Sequence, residues 1–133
     1  MILIDTSVWI EFFNDPHGRI ATAVEKLLRK SVPVCINAII EMEILQGIKS
    51  DKDCDETRSY LSDFQYFSSV DKNHFDTSVD IYRTCRKRGI TVRRSLDCLI
   101  AAHCLINDLE IMHHDRDFQN IKKAFNSLKV LSV

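Results

Sequence analysis

An α/β fold on a mainly parallel sheet is predicted by two features of this sequence. Short apolar runs, each long enough for one strand, alternate with stretches of helical spacing. Acids stand where several of those runs stop, as Asp5 does after Met1-Ile2-Leu3-Ile4. In open α/β sheets, ligands bind outside the carboxyl ends of the strands.

The elements follow in order. Met1 to Ile4 is a buried strand. Asp5 or Thr6 caps the next helix, which continues through Val8, Trp9, Ile10, Glu11, Phe12 and Phe13. Asp5 read as a ligand is the competing assignment, and this stretch alone does not choose. Asn14-Asp15-Pro16-His17-Gly18 is dense in breakers and reads as a loop. Ile20 to Lys30 places Ile20, Ala23, Val24, Leu27 and Leu28 at helical spacing. Val34-Cys35-Ile36 is a short buried strand. Asn37 is a cap for a helix from Ala38 to Gln46 that Gly47 stops. This helix is apolar nearly all round and should be buried. It nevertheless carries Glu41 and Glu43, with no Lys or Arg of its own. A carboxylate in dry surroundings needs a partner.

Further on, Ser50 to Glu56 reads as a polar turn into a helix ending near Phe64, and Tyr66 to Val70 as a strand. Asn73 to Arg88 is a long helix with Phe75, Val79, Tyr82 and Cys85 on one side and Gly89 as its stop. Ile90-Thr91-Val92 is extended. Ser95 caps a helix from Leu96 to Asn107, Leu109 to Met112 is a strand, Phe118 to Phe125 is the last helix, and Val130-Leu131 a final strand.

Composition narrows the class. At 133 residues, 45% apolar and 28% charged, the chain reads as one soluble globular domain, 1–133, rather than a disordered one. A net charge of −1 argues against strong non-specific nucleic-acid binding by the whole molecule, though not against a local basic patch. The apolar N-terminus lacks a basic lead, so no signal peptide is expected, and no run approaches the roughly 18 apolar residues of a membrane span. The five cysteines form an odd set without a C-x-x-C pair, which suggests reduced thiols and a cytoplasmic location. A zinc site from Cys98, His103 and Cys104 fits no established ligand spacing.

Acids recur at separate strand-to-helix edges. Asp97 lies in a first helical turn after Ser95, and Asp115 and Asp117 follow the Leu109 to Met112 strand. Each has a plainer reading: Asp97 as a dipole-favoured acid, Asp117 as the cap of the helix at Phe118, Asp115 as a turn residue. If these acids and Asp5 converge, they repel. Two charges about 4 Å apart at an effective dielectric near 20 cost roughly 4 kcal/mol. A hard divalent cation relieves that cost, and Mg²⁺ or Mn²⁺ is the usual choice with phosphate substrates. Protonation of one acid is the other solution. Arg83, Arg86, Lys87, Arg88, Arg93 and Arg94 precede Asp97 with no acid among them. They are either a solvated helix end or a phosphate-binding rim beside an acidic site.

These residues carry a family resemblance. The chain resembles PIN-domain ribonucleases, and among them the VapC-type toxins of bacterial type II toxin–antitoxin pairs. The resemblance rests on four ordered motifs: Ile2 to Ile10 (ILIDTSVWI), Glu43 to Gly47 (EILQG), Ser95 to Ala102 (SLDCLIAA) and His113 to Phe118 (HHDRDF). It implies a PIN-like three-layer α/β/α sandwich. It selects Glu43 over Glu41, since the second-motif acid precedes a glycine by four positions, and it ranks Asp115 above Asp117. The implied catalytic acids are Asp5, Glu43, Asp97 and Asp115; the first three would hold Mg²⁺ or Mn²⁺, while Asp115, with Asp117, would help hold a second ion or position water. Thr6 and Ser7 would cap the first helix and support the ligands from behind. Arg86, Arg93 and Arg94 would orient the RNA backbone. One departure stands out: many PIN domains carry Thr or Ser two residues before the fourth acid, where this chain has His113.

The resemblance further implies hydrolysis of RNA, in a tRNA or rRNA, to 5′-phosphate and 3′-hydroxyl ends. It also implies a homodimer and a VapB-type antitoxin whose C-terminal segment covers the acidic site. Trp9, Phe12 and Phe13 are candidates for the gripped groove, with core packing as the alternative. Competing functions are a housekeeping RNA-processing PIN nuclease, a phospho-receiver module and a catalytically dead binding module. A receiver wants adjacent acids after its first strand and a Lys after a late one, but Asp5 is followed by Thr6, and after Met112 the next Lys is Lys122. The dead module is disfavoured because all the expected acids are present.

Overall fold

The computed structural model describes residues 1–68 and 70–133, in two compact units, Met1–Ser68 with Val133, and Ser69–Ser132. The first contains β1 (Ile2–Ile4), α1 (Thr6–Asn14), α2 (Arg19–Arg29), β2 (Val34–Asn37), α3 (Ala38–Gln46), α4 (Asp51–Leu61) and β3 (Gln65–Phe67). β2 lies between two parallel neighbours: Ile2 of β1 stands opposite Val34, and Cys35 opposite Gln65 of β3. The strand expected from Tyr66 to Val70 thus starts one residue earlier and stops at Phe67, while Ser69 lies outside the described residues.

The core of this unit is Leu3, Ile4, Val24, Ile36, Ile40 and Trp9, each essentially inaccessible to solvent. Trp9 stacks on Phe13 at 5.8 Å and meets Phe12, Tyr60 and Phe64 at other angles. It is therefore core rather than a surface grip. Phe12 and Phe13 are half-buried.

The polar stretch from Ser50, read as a turn, is the first part of α4. Ser50 Oγ accepts the Asp53 N–H, and Asp51 and Asp53 sit at the positive end of the helix dipole. This helix also supplies what α3 lacks: Arg58 lies 3.7 Å from Glu41.

The second unit contains α5 (Lys72–Lys87), α6 (Ser95–Asn107), β4 (Glu110–His113), α7 (Arg116–Ala124) and β5 (Lys129–Ser132). β4 and β5 are parallel from Glu110–Lys129 to His113–Ser132. Asp71 caps α5 through a reciprocal box with His74. Gly89 follows at φ +69, a left-handed conformation that costs glycine little. Of the apolar side Phe75, Val79, Tyr82 and Cys85, only Cys85 is buried; the others are 52%, 54% and 40% exposed. The buried positions of α5 are instead His74, Ile81 and Cys85.

The α6 helix is buried from Asp97 to Cys104. Ser95 does not cap it: Arg94 occupies that position, without a side-chain capping hydrogen bond. His103 is buried against His74, ring centroids 5.3 Å apart. Burial, and then the nearby His74, push the His103 pKa down to about 4. The unfolded chain therefore binds the extra proton between about pH 6.5 and pH 4, and stability falls as pH drops through that window. Melting curves across that range should show the loss, and H103Q should flatten it.

None of the five cysteines is in a disulfide. Among the described residues, no helix is long and apolar enough to cross a membrane.

Candidate active site

Each unit assembles part of the predicted acid set. In the first, Asp5 stands at the carboxyl end of β1 with 4% of its surface exposed. It is itself the N-cap of α1, so Thr6 and Ser7 do not hold that role. Its Oδ2 accepts the Ser7 N–H at 3.0 Å and the Ser7 hydroxyl at 2.5 Å. The cap uses one carboxylate oxygen, so capping and ligation are compatible. Burial raises the Asp5 pKa, the Ser7 bonds oppose that rise, and the charge of Glu43 adds to it.

Glu43 projects from α3 and accepts a hydrogen bond from Thr6 Oγ1 at 2.7 Å. Thr6 thereby ties the second acid to the residue next to the first. The helical periodicity could not separate Glu41 from Glu43, but their partners do. Glu41 is taken by Arg58 and Glu43 is held beside Asp5.

In the second unit, Asp97, Asp115 and Asp117 each offer a carboxylate oxygen, all within 4.8 Å of one another. Asp97 comes from the first turn of α6, Asp115 from the end of β4, and Asp117 from the first turn of α7. The cap assignment is corrected here. Asp115, not Asp117, caps α7, its Oδ1 accepting the Asp117 N–H at 2.9 Å. Asp117, 1% exposed, accepts the backbone N–H groups of Arg93 and Arg94 at 3.0 and 3.2 Å on Oδ2, and Arg93 Nε at 3.2 Å on Oδ1. It clamps the turn that leads into α6.

Arg93 and Arg94 are engaged with the acids. Arg93 Nη2 lies 2.6 Å from Asp115 Oδ1, and Arg94 Nη2 lies 3.7 Å from Asp97. Burial pushes the Asp115 carboxyl up, but the Asp117 N–H and Arg93 outweigh it, and its pKa lies below the usual carboxylate value. Arg86 sits apart on α5, its guanidinium 5.8 Å from the centroid of the Tyr82 ring.

Two features escaped the sequence. One is the role of Arg93 as a partner of acids, which no local pattern distinguishes from a phosphate contact. The other is His113, buried at the end of β4, whose Nδ1 accepts the Asp115 N–H at 3.2 Å and whose Nε2 lies 3.3 Å from Gln119. The imidazole supplies an acceptor two residues before the acid, where many PIN domains have a hydroxyl. That departure was the signal, though not its meaning.

These are hard oxygen donors, suited to a divalent cation such as Mg²⁺ or Mn²⁺. Cys98, His103 and Cys104 form no converging ligand set among the described residues.

Comparison with known proteins accounts for this arrangement. A family model described as PIN domain matches residues 2–124. The chain is 35% identical over 127 residues to VapC ribonuclease Mb1587 of Mycobacterium bovis and to ribonuclease VapC11 of Mycobacterium tuberculosis, covering 95% of this chain and of each relative. It belongs to the PIN-domain family and, within it, to the VapC ribonucleases.

Solved structures agree on the fold. VapBC2 from Rickettsia felis, bound to a DNA fragment from its promoter, matches with TM-score 0.78 at 16% identity, over 100% of this chain and 99% of that one. DNA-bound VapBC from Salmonella typhimurium matches with TM-score 0.77 at 17% identity, over 98% and 96%. A toxin–antitoxin complex from Klebsiella pneumoniae matches with TM-score 0.72 at 21% identity, over 98% and 96%. The fold is the PIN-like α/β/α class expected from the sequence.

Proposed function

We propose that this chain is a divalent-metal-dependent endoribonuclease and the toxin of a VapBC-type pair. The observation that carries the reading is the close set of Asp97, Asp115 and Asp117 carboxylates in a chain 35% identical to VapC ribonucleases. The family model runs across both compact units, which supports treating 1–133 as one PIN domain. The family resemblance assigns Asp5 and Glu43 to the same catalytic acid set.

Asp5, Glu43, Asp97 and Asp115 would hold Mg²⁺, with Mn²⁺ as a substitute. The bound ion would lower the pKa of water and offset charge on the phosphate. The chain's own residues do the rest. Ser7 fixes the rotation of Asp5, Thr6 fixes Glu43, and His113 and the α7 cap fix Asp115. Asp117 holds the 93–94 turn, so its part is in shaping the site more than in ligation. Arg94 and the more distant Arg86 are suited to the RNA backbone. The substrate class is structured RNA of the translation machinery, a tRNA or an rRNA loop, in the cytoplasm.

Two surfaces fit the partners. A cavity of about 480 Å³, lined by Phe13, Ile48 and Tyr60 together with the acids Asp53 and Glu56, suits an antitoxin tail that carries both apolar and basic residues. The exposed stripe of Phe75, Val79 and Tyr82 on α5 fits a homodimer face.

Purified protein incubated with total RNA should cut it in Mg²⁺, stop cutting with EDTA, and recover when Mn²⁺ is added. New 5′ ends mapped after brief expression identify the target. Cleavage undiminished in EDTA would sink the metal-dependent mechanism.

A further inference from the structure

We infer that Arg93 is a built-in cation of the acidic site, one that competes with the divalent metal for Asp115. The inference rests on the metal-dependent reading above.

The geometry is specific. Asp115 Oδ1 already accepts two donors, the Asp117 N–H at 2.9 Å and Arg93 Nη2 at 2.6 Å. The first is the α7 cap and belongs to the fold. The second is a charged donor on a side chain that is 59% exposed and can leave without opening the core. A carboxylate oxygen has two lone-pair directions. A metal ion taking this oxygen must displace one of its donors, and the arginine is the one able to go.

The charges point the same way. Asp97, Asp115 and Asp117 offer oxygens within 4.8 Å of each other, an arrangement that needs positive charge nearby. Arg93 supplies it through Asp115 and Asp117, and Arg94 stands 3.7 Å from Asp97. A divalent ion supplies more, at shorter range, and makes the Arg93 contribution redundant.

Release of Arg93 is partial by construction. Its backbone N–H stays on Asp117 Oδ2, beside that of Arg94. The residue therefore remains at the rim while its guanidinium swings from the carboxylates toward solvent. There it is placed to meet an RNA phosphate, whose bidentate recognition suits a guanidinium. One side chain thus neutralises the acids before the metal arrives and positions substrate afterwards.

The test is metal binding, read without RNA. Mn²⁺ is titrated calorimetrically into wild type, Arg93→Gln, Arg93→Lys and Asp97→Asn. R93Q keeps a polar side chain and the backbone clamp but removes the charge. It should bind Mn²⁺ up to about fivefold more tightly than wild type, the upper scale of one exposed ion pair. In the absence of metal R93Q should melt lower, because the acids lose their counter-charge. R93K keeps the charge but cannot bridge both acids, and should fall between the two. Equal or weaker Mn²⁺ binding by R93Q overturns this inference while leaving the nuclease reading in place. Absence of Mn²⁺ binding in wild type, or undiminished binding in D97N, overturns the nuclease reading and this inference with it. If R93Q proves unfolded, its circular dichroism shows it, and the R93K affinity decides: binding no tighter than wild type overturns the inference.

Discussion

Asp5→Asn should abolish Mg²⁺-dependent RNA cleavage, and any growth inhibition on expression, while the protein stays folded. The separation is clean because Asp5 does two things with different chemical requirements. As the N-cap of α1 it needs only an oxygen to accept the Ser7 N–H and hydroxyl. Asn provides that oxygen and caps as well as Asp does. In the proposed mechanism it also ligates the metal, which would need the negative charge that Asn lacks. Loss of a residue that merely supports a metal ligand already costs about 10–100-fold, so loss of the ligand itself should exceed that range.

The thermal behaviour of this variant is a second readout. Burial, with Glu43 nearby, raises the Asp5 pKa in the folded chain. The folded state then holds the proton more tightly than the unfolded one. Stability is lost as pH rises from the unfolded value through the folded one. At neutral pH the metal-free wild type bears that cost and D5N does not, so metal-free D5N should melt higher. Saturating Mg²⁺ should reverse the order, because only wild type gains the full binding energy. A D5N protein that cuts RNA and inhibits growth at wild-type levels would remove Asp5 from the mechanism.

Much of the fold was legible because strands and helices here carry strong local signals. Asn37 to Gly47 is the clearest case: cap, apolar body and stop coincide with α3 residue for residue. Failures came where tertiary packing outranks local pattern. Local pattern could not choose between groove and core for Trp9, because its partners Tyr60 and Phe64 are far along the chain. The charged start of α4 looked like a turn because it has few apolar residues, although its Ser50 cap and early acids stabilise a helix. At the site, the ordered motifs pointed to acids that the structure groups within each unit, Asp5 with Glu43 and Asp97 with Asp115 and Asp117, but not to their hydrogen-bond partners. Asp115 and Asp117 are two residues apart, and either could cap α7. What separates them is the 93–94 turn, more than twenty residues earlier in the chain, which takes Asp117 for itself.

That division of labour has a measurable consequence. Asp117→Ala should lower stability by about 1–3 kcal/mol, the cost of leaving buried hydrogen-bond partners unsatisfied. Asp117 is 1% exposed, and its removal strips the acceptor from the N–H groups of Arg93 and Arg94 and from Arg93 Nε. The freed turn leads directly into α6, whose first turn carries Asp97, so metal affinity should fall with stability. Asp115→Asn behaves differently. Asn still caps α7. The substitution weakens only the ion pair with Arg93, whose side chain is largely exposed, and such pairs contribute little. D115N should therefore melt close to wild type yet bind metal poorly, because the charge it lacks is one the ion needs. Paired melting curves and Mn²⁺ titrations for D117A and D115N decide the matter. A D117A protein as stable as wild type would show that the turn is held by other interactions. A D115N protein with intact metal affinity would move the ligand role to Asp117.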